Sequence, residues 1–143
     1  MKRKALLVLL GNQLFPIEAI RKTQVNMVFM SEDYDLCTYE KHHKLKILMF
    51  LVAMREKRDE LAANNFKLEY QYLEETSSPK SYEKKLNKCI SNNNITEVQM
   101  FEIEDKDFEK RIITFFDNQN IPLKFIHSPM FLIKREDFPK LCG

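Results

Sequence analysis

Five short apolar or alternating runs, separated by stretches of helical periodicity, constrain this chain more than anything else in it. The first, Ala5-Leu-Leu-Val-Leu-Leu10, is continuously apolar, as expected of a strand covered on both faces. Val25–Met30, Glu97–Phe101 and Pro122–Ile126 are further strand-like runs. Lys67–Leu73 alternates cleanly between polar and apolar residues, which leaves one polar face and suits a strand near a sheet edge.

Between these runs the spacing predicts helices. The longest spans His42–Ala63, with a buried middle expected from Ile47 to Met54, a charged end, and a stop at Asn64-Asn65. Ser81–Ser91 is amphipathic through Tyr82, Leu86 and Ile90. Asp105–Asn118 carries Phe108, Ile112, Phe115 and Phe116 on one side and acidic residues in its first turn, where they suit the helix dipole. Strand and helix alternating at this spacing imply right-handed crossovers and a sheet sandwiched between helices. The expected fold is α/β: a three-layer, five-stranded, mostly parallel Rossmann-like sheet with helices on both faces. The 143 residues suffice for one such domain, 1–143, and are too few for two comfortable ones.

Composition narrows the function. Apolar residues make up 44% and charged residues 31%, as in ordinary globular proteins, and the net charge of +2 is too small to argue for nucleic acid or an acidic membrane as a partner of this segment. The run Ala5–Leu10 is too short for the core of a secretory signal, and Ile47–Met54 falls far short of the ~20 residues that span a bilayer. A cytoplasmic location with no membrane partner is expected. The three cysteines, Cys37, Cys89 and Cys142, are odd in number and widely spaced. Separate reduced thiols are therefore expected rather than a disulfide framework or a metal site.

In doubly wound sheets ligands bind beyond the carboxyl ends of the strands. Three segments qualify: Gly11–Leu14, Ser31–Asp35 and Phe101–Asp105. With only Gly11 and Gly143 in the chain, no glycine-rich phosphate loop exists, which excludes dinucleotide fingerprints and P-loops. Gly11 is expected to permit a tight turn, with Asn12 and Gln13 offering amides to a ligand above or, on the plainer and weightier reading, to neighbouring loops. Glu32, Asp33 and Asp35 read as a solvated or capping cluster before a metal site, because no octahedral oxygen set accompanies them. His42 and His43 point about 100° apart on a helix and cannot readily chelate one ion. His127 reads as structural, and no nucleophile-base arrangement can be assembled, so no catalytic residue and no metal ligand is assigned.

Several segments, in order over essentially the whole chain, resemble the amino-terminal domain of the photolyase-related family, which includes bacterial (6-4) photolyases and iron–sulfur cryptochrome-like proteins. They are Leu9–Leu14, Met30–Tyr34, Tyr39–Lys46 running into Phe50–Arg55, Phe101–Lys106 and Ser128–Leu132. The His-His-Lys segment followed by Ala-Met-Arg is the most specific part. The resemblance implies a division of labour: this α/β domain would hold an antenna pigment, typically 6,7-dimethyl-8-ribityllumazine. A separate helical domain of the same parent protein would carry FAD, a 4Fe–4S cluster and the damaged-DNA pocket.

On that reading the chain stops where the helical domain would begin. It docks on that domain and meets DNA only through it. The parent resembles a deoxyribodipyrimidine or (6-4) photolyase, while this domain alone is not expected to be catalytic. The pigment pocket would then be built from Leu10, Gly11, Asn12, Gln13, Leu14, Glu32, Asp33, Phe50, Glu102 and Ile103. Two departures stand out: Asn12 replaces an Asp found in many relatives, removing a charge, and Phe50 is bulky enough to act as a wall or as a plug. The alternative is an α/β scaffold with an empty pocket. A small stand-alone enzyme of flavodoxin-like shape is less supported, and an exposed apolar patch on one flank would favour the docking roles.

Overall fold

The strand-like runs become a sheet because the inner ones supply apolar side chains to both faces and the edge run Leu68–Gln71 to one. A computed structural model describes residues 2–11, 13–32, 44–72, 81–103 and 105–127 of the chain. In β1 (Ala5–Val8) every residue is buried. Leu6 and Val8 enter one core cluster and Leu7 enters the other, followed by Leu9 just past the strand end. β2 (Met27–Ser31) repeats this division, Met27 and Phe29 on one side and Val28 and Met30 on the other. With β3 (Leu68–Gln71), β4 (Glu97–Phe101) and β5 (Leu123–Ile126) they form one sheet in the order β3-β2-β1-β4-β5. Each pairing is parallel, so the expected mostly parallel sheet is wholly parallel among the described residues. Leu7 sits opposite both Val28 and Gln99, which fixes β1 at the centre. β3 lies at an edge, as its alternation predicts, and none of its residues is fully buried.

Four helices among the described residues cover the two faces. α1 (Ile17–Arg21) and α2 (Lys44–Ala63) pack on the Leu7 side through Ile17, Ile20, Met54 and Leu61. α3 (Tyr82–Asn93) and α4 (Lys106–Gln119) pack on the Leu6 side through Tyr82, Leu86, Phe108, Ile112 and Phe116. α1 has no counterpart in the sequence expectation, because five residues after Pro16 give too short a pattern to reveal a period. Asn65, Asn94 and Asn120 adopt positive φ just past their helices, and Ser81 and Asp105 cap the starts of α3 and α4.

One expectation needs correction. The stretch Ile47–Met54 is not a buried middle: Leu48, Met49 and Val52 are exposed, and only Met54 is fully buried. α2 touches the sheet along one side only, and at 100° per residue a continuous apolar run must turn half its residues outward. Gly11 lies in the expected turn, which the Gln13 N–H closes on the Leu10 carbonyl at 2.9 Å, without a left-handed φ. Its value is space: a Cβ there would lie 3.0 Å from the Met54 sulfur, so the absence of a side chain lets α2 lie close to the end of β1.

Candidate functional site

The order β3-β2-β1-β4-β5 places β1 beside β4, and the chain leaves these two strands toward opposite faces, to α1 and α4. This is the topological switch point of the sheet, where doubly wound folds open a crevice. Here Gln13 spans it. Its Nε2 donates to the carbonyl oxygens of Phe101 (3.3 Å) and Glu102 (3.0 Å), and its Oε1 accepts from the Leu10 N–H (3.4 Å). Gln13 is only 3% exposed. Its amide ties the end of β1 to the end of β4.

The expected site residues divide into two groups around this bridge. On the α2 side lie Gly11 against Met54, Phe50 one turn before Met54 on the same flank of α2, and Leu14, half-buried against the same cluster. On the other side, Leu10 and Ile103 belong to the opposite core cluster. Glu102 Oε1 lies 3.3 Å from His127 Nδ1, so the supposedly isolated histidine is an acid's neighbour at the ends of β4 and β5. Asn12, Asp33, Asp35, Cys37, His42, His43, Cys142 and the loop Glu75–Pro79 lie outside the described residues.

Glu32 is the most constrained polar residue of the region. It follows β2, its backbone N–H donates to the Gln71 carbonyl at 2.8 Å, and its side chain is completely buried. Strand alternation sends it toward α2, where Arg55 grips the carboxylate in a fork: Nε to Oε2 at 2.8 Å and Nη2 to Oε1 at 3.0 Å. Tyr70 of β3 donates its hydroxyl to Oε2. A carboxylate buried this deeply persists only when paired and hydrogen-bonded. Burial, with that carboxylate as acceptor, holds the Tyr70 phenol above the ordinary tyrosine range.

Outside this pair lies a surface of stacked rings and guanidinium groups. The rings of Tyr70 and Tyr72 meet edge to face, 5.0 Å between centroids. Arg55 lies 5.3 Å from the Tyr72 centroid, and Arg58 lies 5.4 Å and 5.6 Å from those of Tyr70 and Tyr72. Arg58 also donates to the Tyr72 hydroxyl and to Asp59. Sequence reasoning missed all four residues as a site. The period of two that puts Tyr70 and Tyr72 on one face of β3, and the three-residue step from Arg55 to Arg58, were legible. The packing of α2 over β3 that brings them together was not.

The described residues test the fit of a planar pigment. Gly11 and Leu14 present an apolar side toward α2, where the Met54 side chain closes on the place a Gly11 Cβ would take. The polar groups expected to orient the ring, Gln13 and Glu32, already bond protein atoms. A ring lodged on the Gly11 side would meet Leu14 and Met54, and Gln13 or Glu32 would have to exchange a protein partner to bond it. No cluster of three or more His, Cys, Asp or Glu placed to hold a metal occurs among the described residues, and none of their helices is long and apolar enough to cross a membrane.

No curated protein matches the chain. The family model of the deoxyribodipyrimidine photo-lyase-related proteins matches residues 7–143, nearly the full length. This chain belongs to the deoxyribodipyrimidine photo-lyase-related protein family.

Proposed function

We propose that this chain is the α/β domain of a photolyase-related DNA repair protein or blue-light photoreceptor, holding an antenna pigment and docking on a helical FAD-binding domain. The pigment class is a ribityllumazine, seated at the carboxyl ends of the strands against Gly11, Leu14 and Phe50. When bound, such a pigment would supply light absorption, and the chain's own residues would fix its position rather than transform it. DNA, FAD and the iron–sulfur cluster would belong to the helical domain.

The observation that carries the docking role is a stripe on the outer face of α2. Leu45, Leu48, Met49 and Val52 follow the i, i+3, i+4, i+7 spacing and are 59%, 55%, 65% and 50% exposed. A hollow of ≈ 280 Å³ lies along it, lined by Leu48, Met49, Val52, Ala53 and Glu56. Contiguous apolar surface of this kind marks an interaction face more often than a solvated one. The test is co-purification of this chain with the helical FAD-binding domain of its parent as separate polypeptides. Leu48→Glu with Val52→Glu should abolish association while leaving the thermal midpoint of the chain unchanged. Association that survives both changes would overturn the docking role.

One observation favours the second reading, a scaffold whose pocket takes no pigment: Gln13 and Glu32 are both engaged by protein partners. The two readings share the docking face and differ only in pigment binding.

A further inference from the structure

We propose that Tyr72, Arg55 and Arg58 form a separate binding site for a planar aromatic ligand that carries a phosphate, the chemistry of a nucleotide. The site lies past the carboxyl ends of β2 and β3, at the outer edge of the sheet, and does not depend on the pigment reading. Tyr72 is 53% exposed and lies beside two guanidinium groups. The Arg55 side chain is 48% exposed, yet its guanidinium is fixed by the fully buried Glu32. A buried carboxylate that orients a surface arginine is costly for stability alone, since apolar residues could fill the same space at no loss. It does hold a guanidinium ready, which lowers the entropy lost when a ligand binds.

The hydrogen bonds of the cluster leave a consistent set of donors. Arg55 uses Nε and Nη2 on Glu32, and Arg58 uses Nε on Asp59 and Nη1 on Tyr72. Arg55 Nη1 and Arg58 Nη2 accordingly make no hydrogen bond among the described residues. Two N–H groups with no partner in these bonds, beside an exposed phenol and two guanidinium planes, match a ligand with an anionic group next to a π-face. Arginine forks receive phosphate oxygens, and aromatic rings or guanidinium planes receive a base by stacking. Neither element needs a glycine loop, which this chain lacks.

The test is calorimetric titration of the folded chain with adenosine monophosphate, adenosine, inorganic phosphate and a short oligothymidylate. Adenosine monophosphate should bind saturably and more tightly than adenosine or phosphate alone, because the site engages both halves. Tyr72→Leu and Arg58→Gln should each weaken it by about tenfold, the range of a lost stacking contact. Tyr72 is exposed and Arg58 partly so, and circular dichroism verifies that the variants stay folded. An oligothymidylate tighter than the mononucleotide would identify a single strand as the source of the ligand, and a weaker one a free nucleotide. Absence of saturable binding, phosphate alone binding as tightly as the nucleotide, or two variants that bind like the parent would overturn the proposal.

Discussion

Glu32 has no water left around its carboxylate, and what makes this tolerable is the fork of Arg55 and the hydroxyl of Tyr70. The two ends of the pair are unequal. Arg55 reaches solvent and can be hydrated if its partner is lost, whereas Glu32 cannot. Glu32→Gln should therefore cost about 1–3 kcal/mol, the range for imperfectly replaced buried hydrogen bonds. Arg55→Met should cost more, because it strands a buried carboxylate. Urea denaturation of the two variants checks the order, and an Arg55→Met protein more stable than Glu32→Gln would contradict it. At this scale the sequence was informative about residue types and silent about partners. Glu32 stood out as an acid after a strand, but its partner is 23 positions away on a helix, a distance no local pattern encodes.

The elements divide according to how far periodicity reaches. β1, β2 and the edge position of β3 were legible because both-face burial and alternation leave different residue patterns. α3 and α4 were legible from their capping residues and apolar stripes, Ser81 and Asp105 above all. α2 was legible as a helix but not in its orientation, since eight consecutive apolar residues from Ile47 to Met54 carry no phase. The mixed residues after Met54 do: Leu61 is fully buried and Lys57 donates to the Phe15 carbonyl at 2.8 Å. The account predicts that Leu61→Ala costs about 2–5 kcal/mol as a core truncation. Leu48→Ala should stay within about 0.5 kcal/mol of the parent in the isolated chain. Thermal or chemical unfolding measures both, and equal losses would mean that the α2 stripe is not a surface.

For the molecule as a whole, layer order and sheet direction followed from alternation alone, while the ligand region did not, because it depends on which loops converge over the switch point. Gly11 illustrates the difference: its turn was expected, whereas its contact with Met54 arises from packing between distant elements. The acid response is also a property of the whole fold. Burial pushes the Glu83 carboxyl upward, but the Arg111 hydrogen bond, a backbone hydrogen bond and the Arg111 charge together outweigh it and hold Glu83 below the usual carboxylate range. The Arg3 hydrogen bond likewise lowers Glu97. Depressed folded values stabilise the fold above the unfolded carboxylate pKa of about 4.3, and that stability fades as pH falls through the folded values. Arg111→Gln should thus lower stability at neutral pH and converge with the parent as pH falls through the lowered Glu83 value; a gap that persists in stronger acid would assign Arg111 a purely packing role. The central claim, that this family member holds a pigment, is tested most directly by absorbance and fluorescence titration of the folded chain with 6,7-dimethyl-8-ribityllumazine, alongside a Phe50→Ala variant. The account predicts saturable binding at one pigment per chain, with affinity altered by the change at Phe50. No binding by the folded chain, even with the helical domain added, would contradict it and leave a docking scaffold.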